Sequence, residues 1–191
     1  MPEDIFLDKP LDKFIRWLRF DNLIREITPN SVVCDLGCGK DLKFLRYISS
    51  KIEKGIGIDK NCEDFQEGKL QRIGLKVDGD LPLEKESVDI VTMSAILEHL
   101  EHPEDVLKEC YRALKKGGKI ILTTPSPVAK PILEILAFRL KIIDAEEIRD
   151  HKNYFSKKDL KKILINSGFE QKNIKVSSFE FGLNNKAVAI K

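Results

Sequence analysis

The chain has 191 residues, 42% of them hydrophobic, which suits one globular domain with a real core and argues against disorder. Lys and Arg number 33 against 31 Asp and Glu, so a net charge of +2 selects no nucleic-acid or membrane partner by bulk electrostatics. No apolar run approaches the roughly 20 residues of a membrane span, and the acidic start Met1-Pro2-Glu3-Asp4 lacks a signal peptide's basic head. The four cysteines, Cys34, Cys38, Cys62 and Cys110, have no zinc-site spacing, and a chain this long needs no disulfide framework. Free thiols in a reducing, cytoplasmic setting are expected, in a monomer or homodimer.

Leu11 to Ile27 has a broad apolar stripe at helical spacing, with Arg16, Arg19 and Arg25 mostly off it, and Thr28-Pro29-Asn30 ends it. Val32 to Asp35 reads as a buried strand entering a glycine turn, Gly37-Cys38-Gly39. Gly takes positive φ and lets a ligand approach the backbone closely. A helix follows from Leu42 to Ile48, with Asp41 as its expected cap. Gly55-Ile56-Gly57-Ile58-Asp59 is a second strand ending in an acid. Its distance from the glycine turn is close to the ~20 residues expected of a ribose-binding carboxylate. Asp59 also suits the N-cap of a helix over Asn61 to Leu70, and both roles are compatible.

Leu75-Lys76-Val77-Asp78 is a third short strand, and Gly79-Asp80-Leu81-Pro82-Leu83 a loop. Ser87 to Met93 is the fourth strand. Pro103, Glu104 and Asp105 open a helix to about Lys115, which Gly117-Gly118 close. Lys119 to Thr124 is the fifth strand. Short apolar strands alternating with helices indicate a Rossmann-like α/β sandwich of three layers around a mostly parallel sheet. Ser126 to Asn153 is longer than a simple connection and contains an apolar helix, Ile132 to Ile143, expected to act as a lid or docking surface. Ser156 caps a helix to Ser167, with Asp159 completing a capping box. The cluster Lys157-Lys158 with Lys161-Lys162 reads as its solvated face. Ile174 to Phe181 and Lys186 to Ile190 form a closing hairpin.

Several segments now match one family in order. Asp35-Leu36-Gly37-Cys38-Gly39, Gly57-Ile58-Asp59, Asp78-Gly79-Asp80-Leu81-Pro82, Ser87-Val88-Asp89-Ile90-Val91 and Arg112-Ala113-Leu114-Lys115-Lys116-Gly117-Gly118 resemble successive motifs of the class I S-adenosylmethionine-dependent methyltransferases. Phe155-Ser156 to Gly168-Phe169 is similar to the closing helix of the quinone-biosynthesis branch. The resemblance implies a seven-stranded sheet with an antiparallel C-terminal strand, in a single domain over 1–191. It implies S-adenosylmethionine as cofactor. Asp35, Gly37, Cys38 and Gly39 would border its methionine part, and Asp59 would bind the ribose hydroxyls. Lys60 would lie along the adenine. Asp78 and the Gly79 N–H would recognise adenine, and Ser94 would lie near the methionine end. Asp41 stands where the family often has a third Gly. Dinucleotide binding is the rival ligand reading, and the same missing Gly weakens it.

Methyl transfer from a sulfonium needs positioning and water exclusion, plus a base where the nucleophile must lose a proton. His99 and His151 are the candidate bases, whereas His102 belongs to the turn before Pro103. Leu97-Glu98-His99-Leu100 also resembles quinone-biosynthesis O-methyltransferases and RNA 2′-O-methyltransferases, some of which hold a divalent metal here. Glu98, His99 and His151 could supply part of such a set, but Ala95 leaves it one carboxylate short, and no metal site is expected. The leading expectation is methyl transfer to a small-molecule or lipid-like acceptor. The alternatives are a metal-assisted RNA 2′-O-methyltransferase and a cofactor-binding subunit without activity.

Overall fold

A computed structural model describes residues 18–140, 148–150 and 152–191. Eight strands form one sheet in the order β3-β4-β2-β1-β5-β6-β8-β7. They are β1 (Val32–Leu36), β2 (Lys54–Asp59), β3 (Phe65–Glu67), β4 (Leu70–Gly74), β5 (Val88–Ser94), β6 (Leu114–Pro125), β7 (Ile174–Phe179) and β8 (Asn184–Ile190). β1 pairs in parallel with β2 and β5, and so do β2 with β4 and β5 with β6. β3, β8 and β7 enter antiparallel to their neighbours. The expected parallel core and antiparallel C-terminal pair are present, with one strand more than expected.

Period-two alternation splits the strands between two cores. Val33, Ile90, Ile121 and Val188 face a cluster with Leu23, Phe44, Leu45 and Ile48. These last four come from α1 (18–24) and α2 (Lys43–Ile48). Cys34, Leu36, Val91, Met93, Ile120 and Leu122 face the opposite cluster, with Val106, Leu107, Cys110, Leu160 and Leu164. These belong to α3 (Pro103–Ala113) and α5 (Lys157–Asn166). Both sheet faces are therefore covered, as parallel strands require. Between β6 and α5 lies α4 (Ala129–Glu134), which continues as a π-helical turn, Ile135–Arg139. The C-terminal half of the expected helix over Ile132 to Ile143 falls partly on 141–147, outside the described residues, as do residues 11–17 of the N-terminal helix.

Local chemistry explains the element ends. Pro103 sits at the start of α3 with Glu104 and Asp105 in its first turn. The Ser156–Asp159 capping box of α5 is complete: the Asp159 N–H donates to Ser156 Oγ at 3.2 Å, and the Ser156 N–H donates to Asp159 Oδ2 at 3.0 Å. Lys157, Lys158, Lys161 and Lys162 are exposed, the solvated face expected.

Four expectations need correction. No helix spans Asn61 to Leu70. That segment turns back as the β3–β4 hairpin, with Gly68 at φ 55° in the first loop position, where a type II′ turn wants Gly. Only Cys62, Phe65 and Leu70 are apolar there, too few for a helical stripe. The third strand of the parallel set is consequently Leu70–Gly74, and 75–78 is a loop. The Lys115–Gly118 run is not a helix end but a bulged entry to β6. Leu114 opposes Val88 and Lys119 opposes Ile90, so the intervening residues bulge beside Asp89. The Lys115 ammonium reaches that carboxylate at 2.9 Å. Finally, Asp41 does not cap α2: Leu42 holds the N-cap position in left-handed conformation, φ 53°, with no side-chain cap.

Gly57 shows how tightly β2 is packed. A Cβ there would stand 2.4 Å from Leu42 Cδ2 and 2.6 Å from Cys38 Sγ. Its φ is ordinary, so the penalty of Gly57→Ala is steric. Overpacking costs about 1–3 kcal/mol, and thermal denaturation followed by circular dichroism should show the midpoint falling by roughly 3–10 °C.

Candidate active site

The C-terminal ends of β1, β2 and β5 bring the predicted residues together at the side where open α/β sheets bind ligands. β1 ends in the glycine turn, which is stitched to β2. The Gly37 N–H donates to Ile58 O at 2.8 Å, and the Gly39 N–H donates to Asp59 Oδ2 at 3.0 Å. The other Asp59 oxygen accepts from the Asn61 N–H at 2.9 Å. Asp59 thus fixes the loops on both sides of the cleft. Each of its oxygens keeps a lone pair for a further donor.

Two adjoining cavities open here. The larger, about 790 Å³, is lined by Gly37, Asp59, Lys60, Asp78, Ser94 and His99, together with Lys76, Ala95, Ile96, Glu101, Asp150 and Lys152 among others. The smaller, about 330 Å³, is lined by Asp35, Gly37, Cys38, Gly39 and Ser94, with Arg19, Phe20 and Phe44. Gly37, Ser94 and Ala95 border both. Asp59 and Asp78 line one cavity, and Asp35 lines its neighbour. Gly79 follows Asp78 at φ 149° without lining either cavity. His151 lies outside the described residues.

Electrostatics separate the acids. Asp35 is 3% exposed, and the Thr92 hydroxyl donates to its Oδ1 at 2.6 Å. Burial raises its pKa to about 7, and the Thr92 hydrogen bond only partly opposes that. Asp78 is held below the usual carboxylate range by the Lys76 ammonium, 2.6 Å from Oδ2, while its Oδ1 has no donor. Burial also pushes the Cys38 thiol upward, so it is an inert wall rather than a nucleophile.

The sequence reading missed three residues. Arg19 of α1 reaches the smaller cavity, and its Nε has no acceptor. Its only sequence signal was its place off the apolar stripe. Ala95 holds a left-handed conformation, φ 53°, at the tip of β5. That turn sets Ile96 over Gly37, where any Cβ would stand 2.6 Å from Ile96 Cδ1. Asp150 touches His99 on the wall of the larger cavity, its Oδ2 3.3 Å from Nδ1, and nothing in its local pattern announced it.

The residues fit an adenosyl cofactor. Gly39, on the wall of the smaller cavity, leaves open space where a side chain would stand, and Asp78 Oδ1 and Arg19 Nε are a buried acceptor and donor without partners. A metal fits less well. Glu98 is fully buried, accepts from the Thr124 hydroxyl at 3.0 Å, and lines neither cavity. Asp78, Glu101 and His102 do bring ligand atoms within 4.8 Å of one another. However, Lys76 already neutralises Asp78, and Lys152 lies 2.8 Å from Glu101.

Comparison with known proteins agrees. A family model described as a methyltransferase domain matches residues 12–173. An uncharacterized protein of Methanocaldococcus jannaschii, MJ1123, is 25% identical over 91% of this chain and 84% of its own length. The mitochondrial ubiquinone biosynthesis O-methyltransferase of Candida albicans is 30% identical over 56% of this chain, which spans only 36% of that enzyme. Among solved structures, a chain from the complex of the Haloferax volcanii Trm112 methyltransferase activator with a methyltransferase superposes with TM-score 0.74 at 17% identity, covering 94% of this chain and 93% of that one. An S-adenosylmethionine-dependent methyltransferase of Archaeoglobus fulgidus gives 0.69 at 21% identity, with 94% of each chain covered. With the family model spanning most of the sequence and the fold shared with solved methyltransferases, the chain belongs to the methyltransferase domain family, in its class I, S-adenosylmethionine-dependent form.

Proposed function

We propose that the protein methylates an oxygen or nitrogen of a small-molecule or lipid-like acceptor. The observation that carries this reading is the larger cavity, where Asp59, Asp78, Ser94 and His99 converge. Its volume of about 790 Å³ is within the usual range for a small-molecule site. The kinship with ubiquinone biosynthesis O-methyltransferases supports a small acceptor.

S-adenosylmethionine supplies an activated methyl group when bound. Asp59 would accept hydrogen bonds from the ribose hydroxyls, and Asp78 would accept one from the adenine amino group. The Gly79 N–H would donate to the adenine ring, and Lys60 would lie along its face. Asp35 would face the methionine ammonium and Arg19 its carboxylate, a charge-assisted pair of contacts that would orient the donor. Cys38 and Gly39 wall this end. His99 would take the acceptor's proton, and Asp150 and Lys152 border the same cavity. No described helix is long and apolar enough to cross a membrane, so a lipid-like acceptor would be met at a surface.

The test has two stages. Calorimetric titration with S-adenosylmethionine and S-adenosylhomocysteine should show stoichiometric binding. Labelled methyl should then pass from donor to members of a phenol, quinol and amine panel. Label found in transfer RNA or ribosomal RNA instead would sink the small-acceptor reading.

A further inference from the structure

The helix that leaves β6 presents its apolar side to solvent. α4 and its π-helical extension are seated on Ala129 and Ala137, both buried. Val128, Ile132, Ile135 and Phe138 form one stripe on the opposite side, at helical spacing. All four are between 40% and 67% exposed. A helix on a globular domain normally shows the reverse pattern. Phe181 stands close by. The Ser126 N–H donates to Leu183 O at 2.8 Å, and the Ser126 hydroxyl donates to Gly182 O at 2.7 Å, which ties the turn Glu180–Gly182 to the chain just ahead of Val128. Phe181 is held there at φ 55°, a strained conformation for a bulky residue. Its ring is fully exposed, so the strain serves no packing within the chain. Cations flank the stripe. Lys130 Nζ lies 5.8 Å from the Tyr154 ring centroid, and the Arg149 guanidinium 5.4 Å from that of Phe138. Arg139 is exposed, and Glu134 is the one acid in α4 and its extension. The nearby carboxylates of Asp150 and Glu180 are engaged by His99 and Asn184.

We propose that this face docks on an anionic phospholipid bilayer. The apolar stripe and Phe181 enter between the headgroups, and Lys130, Arg139 and Arg149 meet the phosphates. The whole-chain charge of +2 is too small to hold a bilayer by itself, so attachment depends on the stripe and the cations beside it. The place of the face in the fold gives docking a use. Thr123 of β6 pairs with Ser94 of β5, and Ser94 borders both cavities, so α4 departs from the rim of the site. An amphiphilic acceptor held in the bilayer would meet that rim without crossing water. This use rests on the lipid-like acceptor of the functional reading; docking itself does not.

Cosedimentation of the full chain with vesicles of phosphatidylglycerol and phosphatidylcholine tests the proposal. The wild type should pellet with the mixed vesicles, less with phosphatidylcholine alone, and less as salt rises. Ile132→Asp combined with Ile135→Asp should lower partitioning about a hundredfold, and Phe181→Asn, which suits the left-handed backbone, about tenfold. Arg139→Ala should cost about fivefold, on the mixed vesicles only. None of these residues lines either cofactor cavity, so each variant should bind S-adenosylhomocysteine as the wild type does, which also shows it folded. A wild type that ignores the mixed vesicles, or binding indifferent to the Ile132→Asp and Ile135→Asp pair, overturns the proposal. So does a dimer in sedimentation velocity that this pair splits and that vesicles leave intact, because the face then belongs to a second copy. Failure of the functional reading looks different: the chain would bind vesicles, and labelled methyl would pass only to water-soluble acceptors.

Discussion

Asp35→Asn is expected to make the cofactor-free protein more stable at pH 8 and, at the same time, a poor binder of S-adenosylmethionine. The sign follows from proton linkage. Asp35 titrates near 7 in the fold against 3.8 for an ordinary aspartate. Between those values the folded chain holds a proton that the unfolded chain has released. Stability therefore falls as pH rises from about 4 to 7 and levels off above. Three pH units at 1.36 kcal/mol each set the scale at about 4 kcal/mol. Asparagine is neutral throughout and can still accept from the Thr92 hydroxyl, so the variant should escape that loss. Urea unfolding at pH 5 and pH 8 checks this: the wild type should weaken between them, and the variant should not. The methionine ammonium would repay the wild type by drawing Asp35 into its ionised form. Calorimetry in buffers of different ionisation heat should then record about one proton released on binding at pH 6.5. A wild-type stability that is flat over this range would remove the basis for both expectations.

Asp59→Ala has the larger expected effect on cofactor binding. The carboxylate already holds the Gly39 and Asn61 N–H groups at 3.0 and 2.9 Å. Its loss frees the glycine turn on one side and the start of the hairpin connection on the other. It also removes the proposed acceptor for two ribose hydroxyls. Hydrogen bonds to a charged group are worth about 1.5–3 kcal/mol each. Losing two raises the dissociation constant by about 10²–10⁴-fold. Equilibrium titration with S-adenosylhomocysteine measures it. Asp59→Asn, which keeps one acceptor oxygen, should fall between. An affinity within threefold of wild type in Asp59→Ala would show that the ribose lies elsewhere.

The motifs legible in the sequence were those whose chemistry is local. The strand-and-acid endings at Asp35 and Asp59, the Pro103 helix start and the Ser156–Asp159 box each depend on residues within a few positions. The pattern was misread where a distant partner decides. Lys115 to Gly118 looks like a helix terminus until Asp89, on the neighbouring strand, bends it into a bulge. Asp41 looks like a cap, but Leu42 enters α2 through a left-handed turn. Arg19 and Asp150 reach the site only because α1 and the short stretch carrying Asp150 come to its rim, and neither approach is written in nearby residues. Gly37 and Ile96 meet across chain segments far apart in sequence.

The hairpin at the sheet edge carries an entropic consequence. Parallel strands normally need a long crossover with its own helix. Here residues 60–69, which include β3, connect β2 to β4 directly. Halving a loop saves only about 0.6 kcal/mol of closure entropy, so brevity alone is a small gain. The larger effect is on solvation: Gln71 and Arg72 stand on β4 where a covering helix would demand apolar side chains. That margin of the molecule is wet, and substitutions in β3 that keep the pairing should cost little, because cohesion resides in the strands nearer the centre.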